Sequence, residues 1–158
     1  MNLTSWHRWI LASFVDELQK RLTGGHTFIE GRDRDTSKHP NHYEVRIDGP
    51  YQKPCGTRGE FRFFIEVSIL INSTRDESNN FKHSNMKGIA SEALNKDFCI
   101  YRTGNFGKED VDDESLAGVM TLIPTEQIKS NEFGMIDANT EVFQATVEAH
   151  YEMYVSTP

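Results

Sequence analysis

The chain has 158 residues, and its 24 acidic and 17 basic side chains give a net charge of −7. With 37% hydrophobic and 11% aromatic residues, the composition excludes a disordered chain and is typical of a single globular domain, which we expect to span residues 1–158. The negative charge disfavours broad binding to a phosphate backbone, and no stretch approaches the ~18 apolar residues of a membrane span.

The two cysteines, Cys55 and Cys99, stand in unrelated contexts. Cys55 lies in a segment rich in proline and glycine, and Cys99 lies in an apolar run. Their spacing fits neither a metal knuckle nor a disulfide framework. We therefore expect two reduced thiols, and the sequence predicts no metal site and no cofactor.

Residues 4–22 are predicted to form the first helix, because apolar side chains recur there at three- and four-residue steps. Gly24 and Gly25 then end it. Trp6 and Trp9, near its start, either close the edge of the core or anchor a partner, since aromatic anchors are enriched in interfaces.

A short strand at Thr27–Glu30 and a polar loop at 31–41 follow this helix. The loop alternates basic and acidic side chains and contains Arg32 and Arg34. Its polar composition predicts a solvated connection rather than a piece of core.

Two runs in the middle of the chain alternate apolar and polar residues, which is the period of a half-buried β-strand. They are Tyr43–Asp48 and the longer Phe61–Asn72. Residues 49–60 between them hold prolines and glycines, so we expect a β-hairpin with an extended loop that carries Lys53 and Arg58. A loop of about a dozen residues is longer than a hairpin needs, and such loops are often functional.

The next elements are a second helix at 80–96, a strand at 98–102 and a strand at 116–123. A loop at 104–115 separates these strands and is strongly acidic. Its acidic residues are Glu109, Asp110, Asp112, Asp113 and Glu114. The run lacks the alternating spacing of a calcium loop, so a solvated loop or one half of an electrostatic protein contact is favoured.

Residues 125–140 are ambiguous, and a broken or twisted strand around Gly134 is one interpretation. The stretch Glu141–Val155 is clear, because every second residue from Phe143 onward is apolar. It predicts an unusually long strand. The expected fold is therefore α+β, with a twisted, mostly antiparallel sheet of long strands packed by an N-terminal helix and a second helix in mid-chain.

Few residues form a pattern that points to catalysis or metal binding. His39 and His42 have the spacing of a metal pair, but no further Cys or His lies nearby in the sequence. His150 stands between Glu148 and Glu152 on the polar side of the last strand, as a general base could. A solvated or subunit-facing surface is the favoured interpretation, so the sequence predicts no catalytic residue and no enzyme.

Long strands suggest self-association, because two helices cannot cover the ends and edges of such a sheet. Exposed strand edges can pair with another chain, and a closed symmetric ring allows every subunit to pair its edges in the same way. In the order of its elements the chain resembles the tail terminator and head-to-tail joining proteins of long-tailed bacteriophages. The resemblance rests on the first helix (Trp6–Leu22), the ribbon pair Tyr43–Asp48 and Phe61–Asn72, the helix after them, and the terminal strand from Glu141.

The resemblance implies a structural virion protein without catalytic residues, located in the tail or neck and in the host cytoplasm during assembly. It implies a homo-oligomeric ring, a hexamer in that family, which caps the tail tube protein and contacts a head completion or connector protein. DNA would pass through the lumen without sequence-specific binding. The loops with Arg32 and Arg34 and with Lys53 and Arg58 would contact neighbouring subunits or rings, and the acidic loop would face the lumen or a basic patch on the next ring.

Three alternatives stay open at this point. One is another structural protein of the phage neck or tail, such as a head completion or tube protein. Another is a small enzyme with a site on the sheet face near His150. The last is a monomeric ligand-binding α+β domain.

Overall fold

Alternating side chains build the centre of a large curled sheet. The computed structural model describes residues 3–29, 39–55, 60–74, 81–102, 116–123, 128–137 and 142–156. The two longest strands of this part of the chain, β3 (Glu60–Thr74) and β7 (Val142–Ser156), pair antiparallel along their whole lengths. Such an unbroken pairing follows from the apolar residues at every second position of both strands, because this period fixes the register wherever one face is buried.

The other elements surround this central pair. They are α1 (Leu3–Arg21), β1 (His26–Ile29), β2 (His42–Cys55), α2 (Lys82–Leu94), β4 (Phe98–Tyr101), β5 (Leu116–Leu122) and β6 (Lys129–Asp137). The strand order is β1-β2-β3-β7-β5-β4, with β6 also paired to β7. Strand β1 is parallel to β2, whereas the other pairs are antiparallel. The predicted α+β class, with long strands and two helices, is confirmed.

Strand β7 divides one of its edges between two neighbours. Its first half pairs with β6, from Val142 to Glu148. Further along, Tyr151 and Glu152 pair with β5, and β5 then turns to pair with β4. The sheet therefore forks at β7, while the opposite edge of β7 stays paired to β3 throughout.

One face of the sheet forms the core, and both helices pack on it. Tyr151 of β7 lies where they meet, because its ring contacts Phe14 of α1 at 5.3 Å and its hydroxyl donates to the carbonyl oxygen of Leu94 in α2. Phe98 stacks on Phe14 with ring centroids 4.1 Å apart. Full burial of a large apolar side chain stabilises a fold by roughly 1.5–3 kcal/mol, so this face holds most of the hydrophobic stabilisation. The fully buried residues of the central strands include Phe63, Ile65, Val67, Ile69, Ile71, Ala145, Val147 and Ala149.

Trp6 closes one end of this core. Its ring stacks on Phe63 at 5.9 Å and meets Trp9 edge-on at 5.2 Å. Both tryptophans are partly buried against the core. Of the two interpretations given for this pair, the contacts favour closure of the core edge, since the rings pack on this chain's own strands.

Arg21 joins the two helices. Its guanidinium donates to the carbonyl oxygens of Ala93 at 2.9 Å and Asp97 at 2.8 Å, and it lies 4.1 Å above the ring of Phe98. Ala93 lies in the last turn of α2, where carbonyl groups lack helical partners. Arg21 is the last residue of α1, and through these bonds it also caps the end of α2.

The expected loop at 49–60 is wrong for most of its length. Strand β2 continues through Gly49 and Pro50 to Cys55, and pairs with β3 on both sides of them. Glycine and proline here mark a β-bulge rather than the end of a strand, because a bulge is one of the few places in a sheet where proline fits. The ambiguous stretch at 125–140 contains β6, with a register shift beside Gly134, whose φ is +70°.

Candidate functional site

The face of the sheet opposite the helices carries polar side chains along β2, β3 and β7. We call it the open face, because within the described residues neither helix lies over it. Cross-strand pairs such as Glu66 with His150, and Ser68 with Glu148, face one another there. Most of these side chains are half-buried. The charged residues on the open face of the three strands are Glu44, Arg46, Asp48, Lys53, Glu60, Arg62, Glu66, Glu148, His150 and Glu152.

The bulge at Gly49 decides which residues of β2 reach this face. Asp48 pairs with Glu66 and Tyr51 pairs with Phe64, so three steps along β2 correspond to two along β3. The extra residue reverses the alternation of β2 from that point on. Tyr51 is therefore directed to the open face, whereas an unbroken strand would direct it to the core.

Tyr51 and Phe64 form the aromatic wall of a pocket. Their rings stack with centroids 5.3 Å apart, and the Tyr51 hydroxyl donates to Oδ1 of Asp48. That hydrogen bond raises the pKa of the Tyr51 hydroxyl. The pocket has a volume of ≈ 290 Å³, close to the lower end for ligand sites. Its lining residues are Asp48, Tyr51, Arg62, Phe64, Ile65, Glu66, Ile123 and His150.

One ion pair and one histidine–carboxylate contact cross from β3 to β7 around this pocket. Nε of Arg62 lies 2.8 Å from Oε2 of Glu152, and Nε2 of His150 lies 3.9 Å from Oε1 of Glu66. The sequence indicated Glu148 and Glu152 as the carboxylates flanking His150. In the fold Glu152 binds an arginine, and the carboxylate paired with His150 comes from another strand. This partly exposed pair is the arrangement on which the enzyme alternative rests.

A second polar cluster lies on the helix side and was not predicted. Oγ of Ser73 on β3 lies 2.6 Å from Nδ1 of His83 on α2. Nε2 of His83 lies 2.8 Å from Oε1 of Glu132 on β6, and Nζ of Lys87 donates to Oε2 of Glu132 at 3.1 Å. Ser73 is 10 and Glu132 is 49 positions from His83, and the three residues lie on different elements, so no motif of fixed spacing predicted the cluster.

This cluster has the hydroxyl, imidazole and carboxylate of a nucleophilic site, in hydrogen-bonded order. Ser73, however, is fully buried. A substrate in solvent could not reach its hydroxyl. The arrangement instead connects β3, α2 and β6, so we assign it to the structure of the fold.

The candidate metal pair does not assemble a metal site. Nδ1 of His42 lies 2.8 Å from the carbonyl oxygen of His39, and the ring of His39 stacks on that of His26 at 4.1 Å. Among the described residues there is no group of three or more metal-ligating side chains.

Of the predicted contact residues, the structure describes Lys53. It lies on β2 rather than in a loop, exposed and paired with Arg62 of β3. The other predicted positions lie outside the described residues. They are Arg32, Arg34, Arg58, Glu109, Asp110, Asp112, Asp113 and Glu114.

The chain matches no protein-family model and no curated protein. Neither described helix is long and apolar enough to cross a membrane. Function must therefore be inferred from the sequence pattern and from the geometry of the sheet.

Proposed function

We propose that this protein is a structural virion protein of the tail-terminator type, which assembles into a ring, caps the phage tail tube and joins it to the head connector. The observation that carries the proposal is the central sheet. Three strands of 14 or 15 residues leave a broad face without a helix over it in the described residues. A face of this kind gains stability when another subunit covers it, and closed rings are a common way to do so.

Exposed aromatic side chains add to the case for a partner. Phe81 is 70% exposed, Tyr154 62% and Phe133 56%. Phe133 lies on β6 beside the bulge at Gly134. Aromatic residues are enriched in protein interfaces, where they bury a large area at low cost in side-chain entropy. Assembly would remove these rings from water.

The test is the mass of the protein in solution, measured by light scattering on a sizing column over a wide concentration range. Negative-stain images of the peak then give its shape. A discrete ring of about six subunits, as in the resembled family, supports the terminator. Open filaments would instead favour a tube protein, the structural alternative. A monomer at every concentration would overturn ring assembly.

A matched pair of variants locates the contact. Phe133→Ser should shift the ring toward smaller species, because it removes an exposed ring from the proposed interface. Gln19→Ser, at an exposed position of α1, should leave the ring unchanged. If both variants assemble like the original protein, β6 lies outside the interface.

The enzyme alternative is favoured by the pairing of His150 with Glu66 beside the pocket. It predicts a turnover that His150→Ala abolishes without loss of fold. A His150→Ala variant that still forms rings, with no turnover to lose, would leave the structural function as the better explanation.

A further inference from the structure

The pocket of the open face combines an aromatic wall with carboxylates. Tyr51 is 47% exposed, so part of its ring is open to a ligand. Asp48 accepts the Tyr51 hydroxyl through Oδ1, and an ionised carboxylate can accept further hydrogen bonds through its other oxygen. Glu66 lines the same pocket with a side chain that is 42% exposed. The site therefore offers acceptors and a π-face, the two features that a cation binds best.

The charge of the whole face favours the same kind of ligand. On β2, β3 and β7 it carries six carboxylates and three arginine or lysine side chains, and Lys129 of β6 lies opposite Glu148 on the same face. The net charge is therefore −2 if His150 is counted as neutral. A cationic group would gain from this field as it approaches and an anionic one would lose.

Arg62 shows that a guanidinium fits these surroundings. Its carbon Cζ lies 5.1 Å above the ring of Phe64, and its Nε lies 2.8 Å from Glu152. Glu152 neutralises this arginine. One oxygen of Glu66 lies 3.9 Å from Nε2 of His150, and one oxygen of Asp48 accepts from Tyr51, so we expect another cation to approach the second oxygen of each carboxylate. A planar guanidinium suits such a place better than an ammonium, because it can stack on an aromatic ring and donate to a carboxylate at once.

We propose that this pocket binds an arginine side chain presented by a protein partner. The volume of ≈ 290 Å³ accommodates one long side chain rather than a larger ligand. In this arrangement the guanidinium stacks on the exposed face of Tyr51 and donates to Asp48 and Glu66. The proposal goes beyond ring assembly and does not depend on it, since a monomer could bind the same side chain.

The experiment is a titration of the full chain with acetyl-Gly-Arg-Gly-amide, followed by amide NMR shifts. Acetyl-Gly-citrulline-Gly-amide is the control ligand, because citrulline has nearly the shape of arginine without its charge. We expect weak binding of the arginine peptide, with a dissociation constant on the order of 1 mM. The shifts should cluster at Tyr51, Phe64, Glu66 and His150.

Two variants test the carboxylates. Glu66→Gln and Asp48→Asn should each weaken binding about tenfold, because each removes a charge-assisted hydrogen bond. Glu92→Gln, on the exposed side of α2, is the matched control and should bind like the original protein.

Selective binding of the arginine peptide, lost in the pocket variants, would support the proposal. Equal shifts with the citrulline peptide would overturn it, because charge would then play no part. Shifts confined to another surface, or none with the arginine peptide in excess, would also overturn it. A monomeric protein that binds the arginine peptide would contradict the ring and leave this site in place.

Discussion

Glu132 is the residue through which the edge strand β6 holds α2. Its two oxygens bind His83 and Lys87, 2.8 and 3.1 Å away. We expect Glu132→Gln to destabilise the fold by about 0.5–1 kcal/mol at pH 7, a modest value because the Glu132 side chain is 43% exposed and water screens the pair. Urea denaturation measures this, with the more exposed Glu92→Gln as the control expected to show little change.

The same substitution should change how stability depends on pH. Burial would raise the pKa of Glu132, but the hydrogen bonds from His83 and Lys87 outweigh it, so the pKa lies below the ordinary 4.5. Stabilisation from a carboxylate with a lowered pKa is present above that ordinary value and is lost as the pH falls through the pKa of the folded state. The difference between the original protein and Glu132→Gln should therefore shrink in acid. A difference that stays constant down to pH 3 would contradict this.

Tyr43 stabilises the fold in a way that is lost as the pH rises, whereas the stabilisation from Glu132 is lost as the pH falls. It is fully buried, its hydroxyl donates to the carbonyl oxygen of Thr23 at 2.7 Å, and burial raises its pKa from 10.0 to about 12. Above pH 10 the unfolded chain loses this proton first, so the free energy of unfolding falls as the pH rises toward 12. Tyr43→Phe should lose about 1 kcal/mol at pH 7 with the hydrogen bond, yet show a shallower fall between pH 10 and 12.

The control for that experiment is Tyr154→Phe, at a side chain that is 62% exposed. It should follow the pH profile of the original protein. Buried Tyr151 has a raised pKa too, for the same reason, so the fall is reduced in Tyr43→Phe and not abolished. If the free energy of unfolding falls equally with pH in the original protein and in Tyr43→Phe, Tyr43 is not a cause of the fall.

The sequence predicted which residues are neighbours along one strand, but not which side chains from different elements contact each other. The polar surroundings of His150 were evident from period two, but its carboxylate partner Glu66 lies on a strand far away in the chain. His83 and Glu132 are 49 positions apart. Such pairs depend on register and on helix placement, which no local pattern contains.

At the scale of elements, the bulge in β2 is the feature that builds the pocket. Gly49 has a φ of +113°, and a Cβ added there would lie 3.1 Å from the backbone nitrogen of Tyr51 and 3.2 Å from the carbonyl oxygen of Phe64. We expect Gly49→Ala to destabilise the fold by roughly 1–3 kcal/mol, because a side chain rarely adopts this conformation. Denaturant unfolding measures it.

Gly88 is the matched control for that variant. It lies inside α2, and apart from its own turn of helix no atom of the described residues lies within 4 Å of the position that a Cβ would take. Gly88→Ala should therefore stabilise the protein by about 0.5–1 kcal/mol, since alanine has the higher helix propensity. Loss of stability in both variants would contradict this explanation, because an added methyl group would then be costly even in a helix with open space around it.

Elements with strict periodicity were predictable, and irregular ones were not. Strands β3 and β7 follow from the apolar residues at every second position. The continuation of β2 was missed because Gly49 and Pro50 ordinarily end a strand. The course of β6 was uncertain because the bulge beside Gly134 interrupts its alternation. A bulge changes the period locally, so it hides a strand from any pattern of fixed period.

At the scale of the molecule, the acidic loop at 104–115 would face the lumen of the proposed ring or a basic patch on the next ring. Replacing Glu109, Asp110, Asp112, Asp113 and Glu114 by their amides removes five negative charges from a chain of net charge −7. We expect an unchanged circular dichroism spectrum and melting temperature, because a solvated loop adds little to the core. Ring stacking, measured by sedimentation and electron microscopy, should be impaired. Normal stacking would remove the assignment of this loop to the lumen or the next ring.

The fork at β7 has a consequence for the order of events during synthesis. Strand β7 is the last described element in the chain, yet β3, β5 and β6 all pair with it. Until residue 156 has left the ribosome, the edge of β3 that pairs with β7 lacks this partner. Until then the earlier strands form only part of the sheet, and their unpaired edges can pair with other chains. We therefore expect the yield of folded sheet to depend on how long the chain remains without β7, and so on the rate of translation.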